Sequence, residues 1–496
     1  MAELFLLQWG LIFVKIRAMS ASFLKKNDEI KLHITAMTSE GSGIGRYCPE
    51  AAENDGEGFA VFVRGTVPGD DIMAHIIKVS KNYAVGIIGE ILAPSPERIE
   101  PECPHAKQCG GCSFWQMTYD EEIKYKLQRV NDAVLRVGKV RFECEGILTA
   151  DSTRRYRNKA EYPVKIENGK FEAGFYAYKS HRVVSAKDCL LQPKEFETGL
   201  NVIEKWATAF GVTAYDEKTG RGLLRHVYFR KATGTGEMQV TLVVNGNTVP
   251  QKEKLVSDLK SALPFLKSVA LNVNVGRTNV ILGNKTKIIW GNEKICDTLT
   301  PKINNTESIK NTNGEAFKFL ISPESFYQVN HDGCEKLYGL VHEFASLKGD
   351  ETVLDLYCGA GTIGLTLAPF CKNVVGVEVV PSAVENAKEN AALNGITNAQ
   401  FILADAFKGA EIIKGEGINI DIVVLDPPRK GCQRELLELI KELNIPKILY
   451  VSCDSATFAR DLNILTALGY TLKHLKAVDM FPRTPHVETV ALIELK

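Results

Sequence analysis

Two short apolar segments near the carboxyl terminus, with a helical stretch between them, constrain the fold of this chain most. Residues 420–425 and 447–451 have the near-continuous apolar character of strands buried in a parallel sheet, and residues 435–443 predict a helix. Asp426 follows the first strand in the sequence Asp-Pro-Pro-Arg-Lys-Gly, and Cys453 follows the second in Ser-Cys-Asp. Ligands bind beyond the carboxyl ends of parallel strands, so both side chains are predicted at one edge of the sheet. Position alone leaves open whether they are catalytic or ordinary loop residues.

The remainder of residues 286–496 alternates strand-like and helix-like patterns, which predicts a Rossmann-like α/β domain. A strand at 352–357 leads into a G-x-G-x-x-G motif at 359–364. Glu378 ends the next strand, where a carboxylate can accept hydrogen bonds from ribose hydroxyls. Asp405 follows a third strand and adds a further carboxylate to the same edge. By itself the glycine motif also suits a nicotinamide-dependent oxidoreductase.

The charge of the chain is balanced overall but uneven locally. Its 60 basic and 60 acidic residues cancel, so no overall basic field indicates nucleic acid. Basic runs at 154–159, 179–182 and 221–231 are nevertheless interleaved with aromatic residues. Arginine beside exposed aromatic rings favours single-stranded RNA, although any one run is also typical of a solvated face.

The amino-terminal part predicts a leader and a small barrel. Residues 4–14 are mostly apolar but shorter than the ~20 residues of a membrane span, so residues 1–22 are interpreted as a leader, with Met19 an alternative start. Residues 23–93 predict a β-barrel, with strands within 29–34, 58–63 and 84–91 and a glycine-rich loop at 39–45.

Three cysteines lie within ten residues, with two glycines between the last two. Cys103-x5-Cys109-x2-Cys112 lets the three sulfurs converge on one metal centre, and Cys144 or Cys189 is the candidate fourth ligand. The spacing suits an iron–sulfur cluster or zinc. The chain has twelve cysteines and lacks a secretory signal, which indicates a reducing compartment and disfavours a disulfide.

The motifs described above, together with Phe-Tyr-Gln-Val-Asn at 326–330, resemble the RNA uracil-5-methyltransferase family, and most closely its 23S ribosomal RNA members. The resemblance extends from about residue 27 to the carboxyl terminus. It implies a multidomain chain with a TRAM-type, OB-like β-barrel at 23–93. An α+β central RNA-binding domain with the cysteine cluster would follow at 94–285, and an α/β methyltransferase domain at 286–496. The predicted helix at 118–138 would pack on the catalytic domain.

The resemblance also implies the site residues. Cys453 would be the nucleophile and Glu488, at the start of an apolar strand, the general base. Ser455 stands where the family usually has proline. A [4Fe–4S] cluster would be bound by Cys103, Cys109, Cys112 and Cys189. The implied contacts to S-adenosylmethionine are Gln328, Tyr357, Gly359, Gly361, Glu378, Asp405 and Asp426.

The resulting hypothesis is methylation of carbon 5 of a uridine in RNA. The resemblance implies 23S ribosomal RNA as the substrate, with transfer RNA as the alternative. The expected protein is a cytoplasmic monomer without a membrane partner. Two other classes compete with this hypothesis. A nicotinamide oxidoreductase would leave the Asp-Pro-Pro-Arg and Ser-Cys-Asp motifs unexplained, and a non-catalytic RNA-binding protein would give Cys453 and Glu488 no role.

Overall fold

The computed structural model describes residues 24–48, 58–167, 169–303 and 306–496. The predicted leader at 1–22, with Met19, lies outside these residues. The chain divides into two compact units. The first extends to residue 107 and includes 112–125 and 483–485; the second comprises 108–111, 126–482 and 486–496. None of the described helices combines the length and the apolar character needed to cross a membrane.

The first unit contains a closed five-stranded barrel with the strand order β1-β2-β3-β5-β4. Alternate side chains of its strands, among them Leu32, Val61 and Ile72, fill the barrel interior. The strands are β1 Glu29–Met37, β2 Ser42–Tyr47, β3 Phe59–Arg64, β4 Asp71–Val79 and β5 Tyr83–Ala93.

The prediction of a loop at 39–45 was wrong in its second half, because β2 begins at Ser42. Glycine is required within this strand by close packing against its neighbours. A Cβ atom on Gly43 would lie 2.0 Å from Thr66 Oγ1, and one on Gly45 would lie 2.4 Å from Leu32 Cγ.

A long helix and a short strand come next in the chain. The helix is α1 Tyr119–Arg136 and the strand is β6 Ile147–Leu148. Val130 and Val134 of α1 are fully buried in the apolar core beneath the large carboxyl-terminal sheet. β6 pairs in parallel with the last but one strand of that sheet.

A seven-stranded sheet occupies the middle of the second unit, with the order β13-β12-β11-β10-β7-β8-β9. Two helices, α2 Lys194–Ala209 and α3 Lys252–Ala262, share one apolar core with its strands. The strands are β7 Lys159–Glu167, β8 Lys170–Tyr176, β9 Val183–Ser185, β10 Leu224–Lys231, β11 Met238–Val244, β12 Leu266–Val273 and β13 Lys285–Gly291.

Two small antiparallel pairs precede the large carboxyl-terminal sheet. They are formed by β14 Ile295–Leu299 with β17 Phe317–Ile321, and by β15 Lys302–Ile303 with β16 Glu307–Ser308.

An eight-stranded sheet with helices on both faces completes the second unit, in the order β20-β19-β18-β21-β22-β24-β23-β6. Its strands after β17 are β18 Thr352–Leu356, β19 Asn373–Glu378, β20 Ala399–Leu403, β21 Ile422–Leu425, β22 Lys447–Ser452, β23 Tyr470–Val478 and β24 Glu488–Leu495. Its helices are α4 His331–Ala345, α5 Thr362–Leu367, α6 Pro381–Leu393, α7 Ala406–Glu416, α8 Arg434–Glu442 and α9 Ser455–Ala467.

Alternate residues of the central strands enter two separate cores. Val353 and Val424 pack into the core that contains α4, whereas Leu354 and Val423 pack into the core that contains α8 and α9. The strands are therefore apolar on both faces, which explains the near-continuous apolar segments in the sequence.

Candidate active site

The five strands β20, β19, β18, β21 and β22 are parallel, so their carboxyl ends meet at one edge of the sheet. Asp426 and Cys453 follow β21 and β22 directly, as predicted from position. β24 is antiparallel to β22, and Ser452 pairs with Thr489. Continued by one position, this register brings Cys453 opposite Glu488. Both residues lie at the edge where the parallel strands end, because an antiparallel neighbour begins there.

The turn that carries Cys453 is fixed by hydrogen bonds on both sides of the thiol. Ser452 Oγ donates to the Asp454 carbonyl (3.0 Å) and accepts from the Asp454 amide (3.1 Å). Asp454 then caps α9 by accepting from the amides of Ala456 and Thr457, each at 3.0 Å. Ser455, in the position where proline was expected, is 2% exposed. Ser455 is thus the first residue of a helix that is capped by Asp454.

Three acidic groups at this edge have raised pKa values, mainly because they are buried. Burial raises the pKa of Glu488 to about 8 and that of Asp426 to about 7, and the Asp426 charge contributes to the shift of Glu488. Burial, with smaller effects from the Glu488 and Asp426 charges, raises the pKa of the Cys453 thiol to about 11. The Arg429 guanidinium acts in the opposite direction on Cys453 and on Glu488. A carboxyl group with a pKa near 8 therefore interacts with the Cys453 thiol.

The glycine-rich loop leads away from the same edge. Glu378 accepts hydrogen bonds from the amides of Gly359 (3.1 Å) and Val380 (2.8 Å). Gly361 has a φ of 78°, which glycine adopts without strain. Exposed apolar residues lie next to Glu378: Val379, which follows it in the chain, is 62% exposed, and Leu403, which pairs with it across β19 and β20, is 55% exposed. A carboxylate beside uncovered apolar side chains suits the ribose and base of a nucleoside.

Three other residues predicted to contact the cofactor differ in backbone conformation, burial and hydrogen bonding. Tyr357 follows β18 with a φ of 68°, a strained conformation for a non-glycine residue. Gln328 is buried, and its carbonyl accepts from Asn158 Nδ2 at 2.9 Å. Asp405 is exposed and caps α7 by accepting from the Lys408 amide at 3.0 Å. A cap of this kind stabilises the helix, whichever ligand binds at the edge.

The four predicted metal-binding cysteines are all half-buried. In the second unit, Cys109 pairs with Ala177, and a Cβ atom on Gly110 would lie 2.9 Å from the Tyr176 carbonyl, so only glycine fits beside this cysteine. The Cys189 carbonyl accepts from Arg155 Nη1 at 2.9 Å. In the first unit, the Cys112 carbonyl accepts from Arg64 Nη2 at 3.0 Å, and the Cys103 carbonyl accepts from the Ala106 amide at 3.1 Å.

Cys144 differs from the other candidate ligands. It is 5% exposed, belongs to the core under the eight-stranded sheet, and its thiol donates to the Gly146 carbonyl at 3.3 Å. Burial raises the pKa of this thiol. Cys144 therefore has the environment of an inert core cysteine, which favours Cys189 as the fourth ligand.

Two groups at the edge were not among the predicted site residues. Burial raises the pKa of Asp355 to about 7; its Oδ2 accepts from the Gly364 amide, and its Oδ1 has no hydrogen-bond partner among the described residues. Arg429 lies in the Asp-Pro-Pro-Arg loop and interacts electrostatically with Cys453 and Glu488. Asp355 and Arg429 both occur in the predicted motifs, but their positions in the sequence did not show which groups lie near them.

Comparison with known proteins agrees with this geometry. The chain matches the tRNA (Uracil-5-)-methyltransferase family over residues 118–496 and the TRAM domain over residues 24–88. It is similar to an uncharacterized RNA methyltransferase of Halalkalibacterium halodurans, at 41% identity over 474 residues, which are 95% of this chain and 98% of the relative. A Clostridium tetani relative with the same description is 42% identical over 470 residues, 95% of this chain and 97% of the relative.

A solved structure shares the fold. The tRNA (uracil-54, C5)-methyltransferase of Pyrococcus abyssi, in complex with S-adenosyl-L-homocysteine, is similar with a TM-score of 0.72 and 24% identity, over 93% of this chain and 99% of that one. The barrel and the methyltransferase fold are thus confirmed, and the family matches favour a methyltransferase over an oxidoreductase or a non-catalytic RNA-binding protein. The chain therefore belongs to the tRNA (uracil-5-)-methyltransferase family of RNA-modifying enzymes.

Proposed function

We propose that this protein transfers the methyl group of S-adenosylmethionine to carbon 5 of a uridine in 23S ribosomal RNA. The observation that carries the proposal is the register that places Cys453 opposite Glu488, at the edge where the glycine-rich loop also begins. A nucleophile and a base on neighbouring strands can act on two adjacent atoms of one ring. Carbons 5 and 6 of uracil are such a pair.

The Cys453 thiolate would add to carbon 6 of the target uracil. The carbon–carbon double bond then becomes an enolate whose negative charge reaches carbon 5. S-adenosylmethionine would supply an electrophilic methyl group. Carbon 5 would bond to this methyl carbon as the bond from the methyl carbon to the sulfonium sulfur breaks, with S-adenosylhomocysteine as the leaving group. The Glu488 carboxylate then removes the proton from carbon 5. The electron pair of that bond restores the double bond, and the sulfur–carbon bond breaks to regenerate the thiolate.

The pKa values of Glu488 and Cys453 support these two roles. Glu488, with a pKa of about 8, can accept a proton and release it to water near neutral pH, which is the condition for an effective general base. The Cys453 thiol, with a pKa of about 11, is mostly protonated in the free enzyme. The nearby Arg429 guanidinium favours the thiolate, as the addition step requires.

The residues around the glycine-rich loop fit S-adenosylmethionine. Glu378 would bind the ribose hydroxyls, and the exposed apolar surface of Val379 and Leu403 would cover the adenine. Gln328, Tyr357, Gly359, Gly361, Asp405 and Asp426 complete the proposed set of contacts.

A uridine must leave its stack to enter the site, at a cost of a few kcal/mol. The TRAM barrel and the basic runs of the central region would supply RNA contacts that offset this cost. We further propose that Cys103, Cys109, Cys112 and Cys189 bind a [4Fe–4S] cluster that organises their loops. These four cysteines are half-buried, and four cysteine thiolates are the usual ligands of such a cluster; zinc is the other metal that the same set can bind.

The nucleophile and the base can be tested separately with RNA transcribed with 5-fluorouridine. Fluorine cannot leave as a cation, so the unmutated enzyme should stop as a covalent RNA adduct that migrates slowly in a denaturing gel. Cys453→Ala should form neither adduct nor methylated RNA. Glu488→Gln should form the adduct with unmodified RNA as well. An adduct in Cys453→Ala, or full turnover by Glu488→Gln, would contradict the assignment.

The RNA substrate is tested in cells. Mapping of 5-methyluridine in 23S ribosomal RNA and in transfer RNA, with and without the gene, should show a loss from ribosomal RNA. A loss confined to transfer RNA would make the protein a transfer RNA enzyme of the same chemistry.

A further inference from the structure

The segment 479–482 follows β23 and precedes the strand that carries Glu488. A buried ion pair fixes its first residue: Lys126 Nζ lies 2.6 Å from Asp479 Oδ1, and both side chains are fully buried. The same ammonium group donates to the Phe481 carbonyl at 3.2 Å. Lys126 belongs to α1, which is 353 residues distant from Asp479 in sequence.

Two other side chains secure the same segment through its backbone. Asn330 Nδ2 donates to the Met480 carbonyl at 3.0 Å, and the Tyr156 hydroxyl donates to the Pro482 carbonyl at 3.0 Å. The carbonyl groups of three consecutive residues, 480–482, therefore accept hydrogen bonds from three different parts of the second unit. Of these three donors, Lys126 is the charged one.

The same helix contacts the turn of the nucleophile. Arg129 lies three residues after Lys126, on the same face of α1. Its Nη2 is 3.9 Å from Oδ2 of Asp454, the residue that follows Cys453 and caps α9. The Arg129 side chain is only 14% exposed, so water screens this interaction less than it would on an open surface.

We infer that Lys126 and Arg129 are positioning residues for the two halves of the reaction. Lys126 sets the position of Glu488 through Asp479, which follows Val478, the residue that pairs with Glu488 across β23 and β24. Arg129 sets the position of Cys453 through Asp454. This inference rests on the proposed function of Cys453 and Glu488. One face of α1 thereby fixes the distance between a nucleophile and a base that come from different strands.

The chemistry of a buried ion pair supports a positioning role. An ion pair without solvent contributes little to stability compared with apolar residues of similar size, because both charges lose hydration. It does impose one geometry, since an unpaired charge at either end would be costly. A lysine that reaches a carboxylate and a carbonyl together restricts the segment more than an apolar contact would.

The test separates addition from elimination in the full-length protein. Addition is measured as the rate of adduct formation with 5-fluorouridine RNA. Elimination is measured with unmodified RNA, as the rate at which the methylated adduct disappears. Because Lys126→Met alone leaves Asp479 charged and buried, the double variant Lys126→Met with Asp479→Asn is used beside it. Lys124→Met is the matched control, since Lys124 lies on the same helix and its side chain is 66% exposed.

Lys126→Met with Asp479→Asn should slow elimination by ~10- to 100-fold, the usual effect of a misplaced catalytic group, and change addition by less than about threefold. The methylated adduct should then accumulate. Arg129→Met should show the opposite split, with addition slowed by ~3- to 10-fold and elimination unchanged. Lys124→Met should match the unmutated protein in both steps.

A purely structural role gives a different result. If each variant lowered addition and elimination by one common factor, in proportion to lost folded protein, the inference would be overturned. Failure of the unmutated chain to form any adduct would instead overturn the proposed function, and this inference with it.

Discussion

Glu488→Gln should stabilise the folded protein, and the gain should grow with pH. Glu488 is 4% exposed, and burial raises its pKa from 4.5 to about 8. At pH 4 the carboxyl is protonated in the folded and the unfolded chain, so it has little effect on stability. Between pH 4.5 and 8 the unfolded chain releases the proton and the folded chain retains it. Because the unfolded state then binds fewer protons, the stability of the folded state decreases as pH rises through this interval.

The size of the effect follows from the two pKa values. At ~1.36 kcal/mol for each pH unit, the interval between 4.5 and about 8 corresponds to roughly 5 kcal/mol, all of it lost once the pH exceeds the folded pKa. Glutamine has the same shape and no charge, so it avoids this loss. Glu488→Gln should therefore gain about 1 kcal/mol over the unmutated protein at pH 5 and about 4 to 5 kcal/mol at pH 8.5.

Thermal denaturation at pH 5 and pH 8.5, followed by calorimetry, provides the measurement. The midpoint difference between Glu488→Gln and the unmutated protein should widen by several degrees between the two pH values. Glu494→Gln is the control, because Glu494 lies on the same strand, six residues further along and roughly 20 Å away. A difference that is equal at both pH values would refute the argument, since it would mean that Glu488 ionises in the folded chain as it does in the unfolded one.

Three further predictions concern the rest of the site. Glu378→Ala should weaken S-adenosylmethionine binding in calorimetric titration by ~1–3 kcal/mol, because the ribose hydroxyls and the Gly359 amide lose their acceptor; unchanged affinity would place the ribose elsewhere. Asp454→Ala should lower the free energy of unfolding by ~0.5–2 kcal/mol in urea denaturation through loss of the α9 cap, whereas Asp132→Ala, on an exposed face of α1, should not. Cys189→Ser should lose the iron that anaerobically purified protein carries and Cys144→Ser should retain it, as iron and zinc analysis will show; one zinc per chain would replace the cluster by a zinc site.

The local pattern of apolar residues was sufficient to predict much of the fold. The strands β21 and β22 and the helix α1 lie within one or two residues of their predicted bounds, because their apolar periodicity is strong and their cores are extensive. In the barrel, strands were predicted within β1, β3 and β5, but β2 was partly taken for a loop. Glycine weakens a strand pattern, and at Gly43 and Gly45 it is present because neighbouring side chains leave no space for Cβ.

The arrangement of the site could be anticipated only in part. Residues at the ends of parallel strands can be assigned to one edge from topology alone, which applies to Asp426 and Cys453. The partner of a residue across an antiparallel pair depends on a register between segments that are distant in sequence, and nothing near Glu488 specifies it. Likewise, the sequence around Lys126 or around Asp479 does not indicate that these two residues are in contact. Nor does the sequence give the pKa of Glu488, which depends on how completely the fold removes water from around it.

The insertion of β24 between β22 and β23 gives this sheet a property that a purely parallel sheet lacks. Parallel strands present only their carboxyl-terminal residues at the ligand edge, whereas an antiparallel neighbour presents its amino-terminal residue there. Residues opposite each other across such a pair have Cα atoms about 4.5–5.5 Å apart, which suits reactions at adjacent ring atoms. A slip of one residue would turn Glu488 to the other face of the sheet. The register of β24 against β22 therefore determines the distance between Cys453 and Glu488.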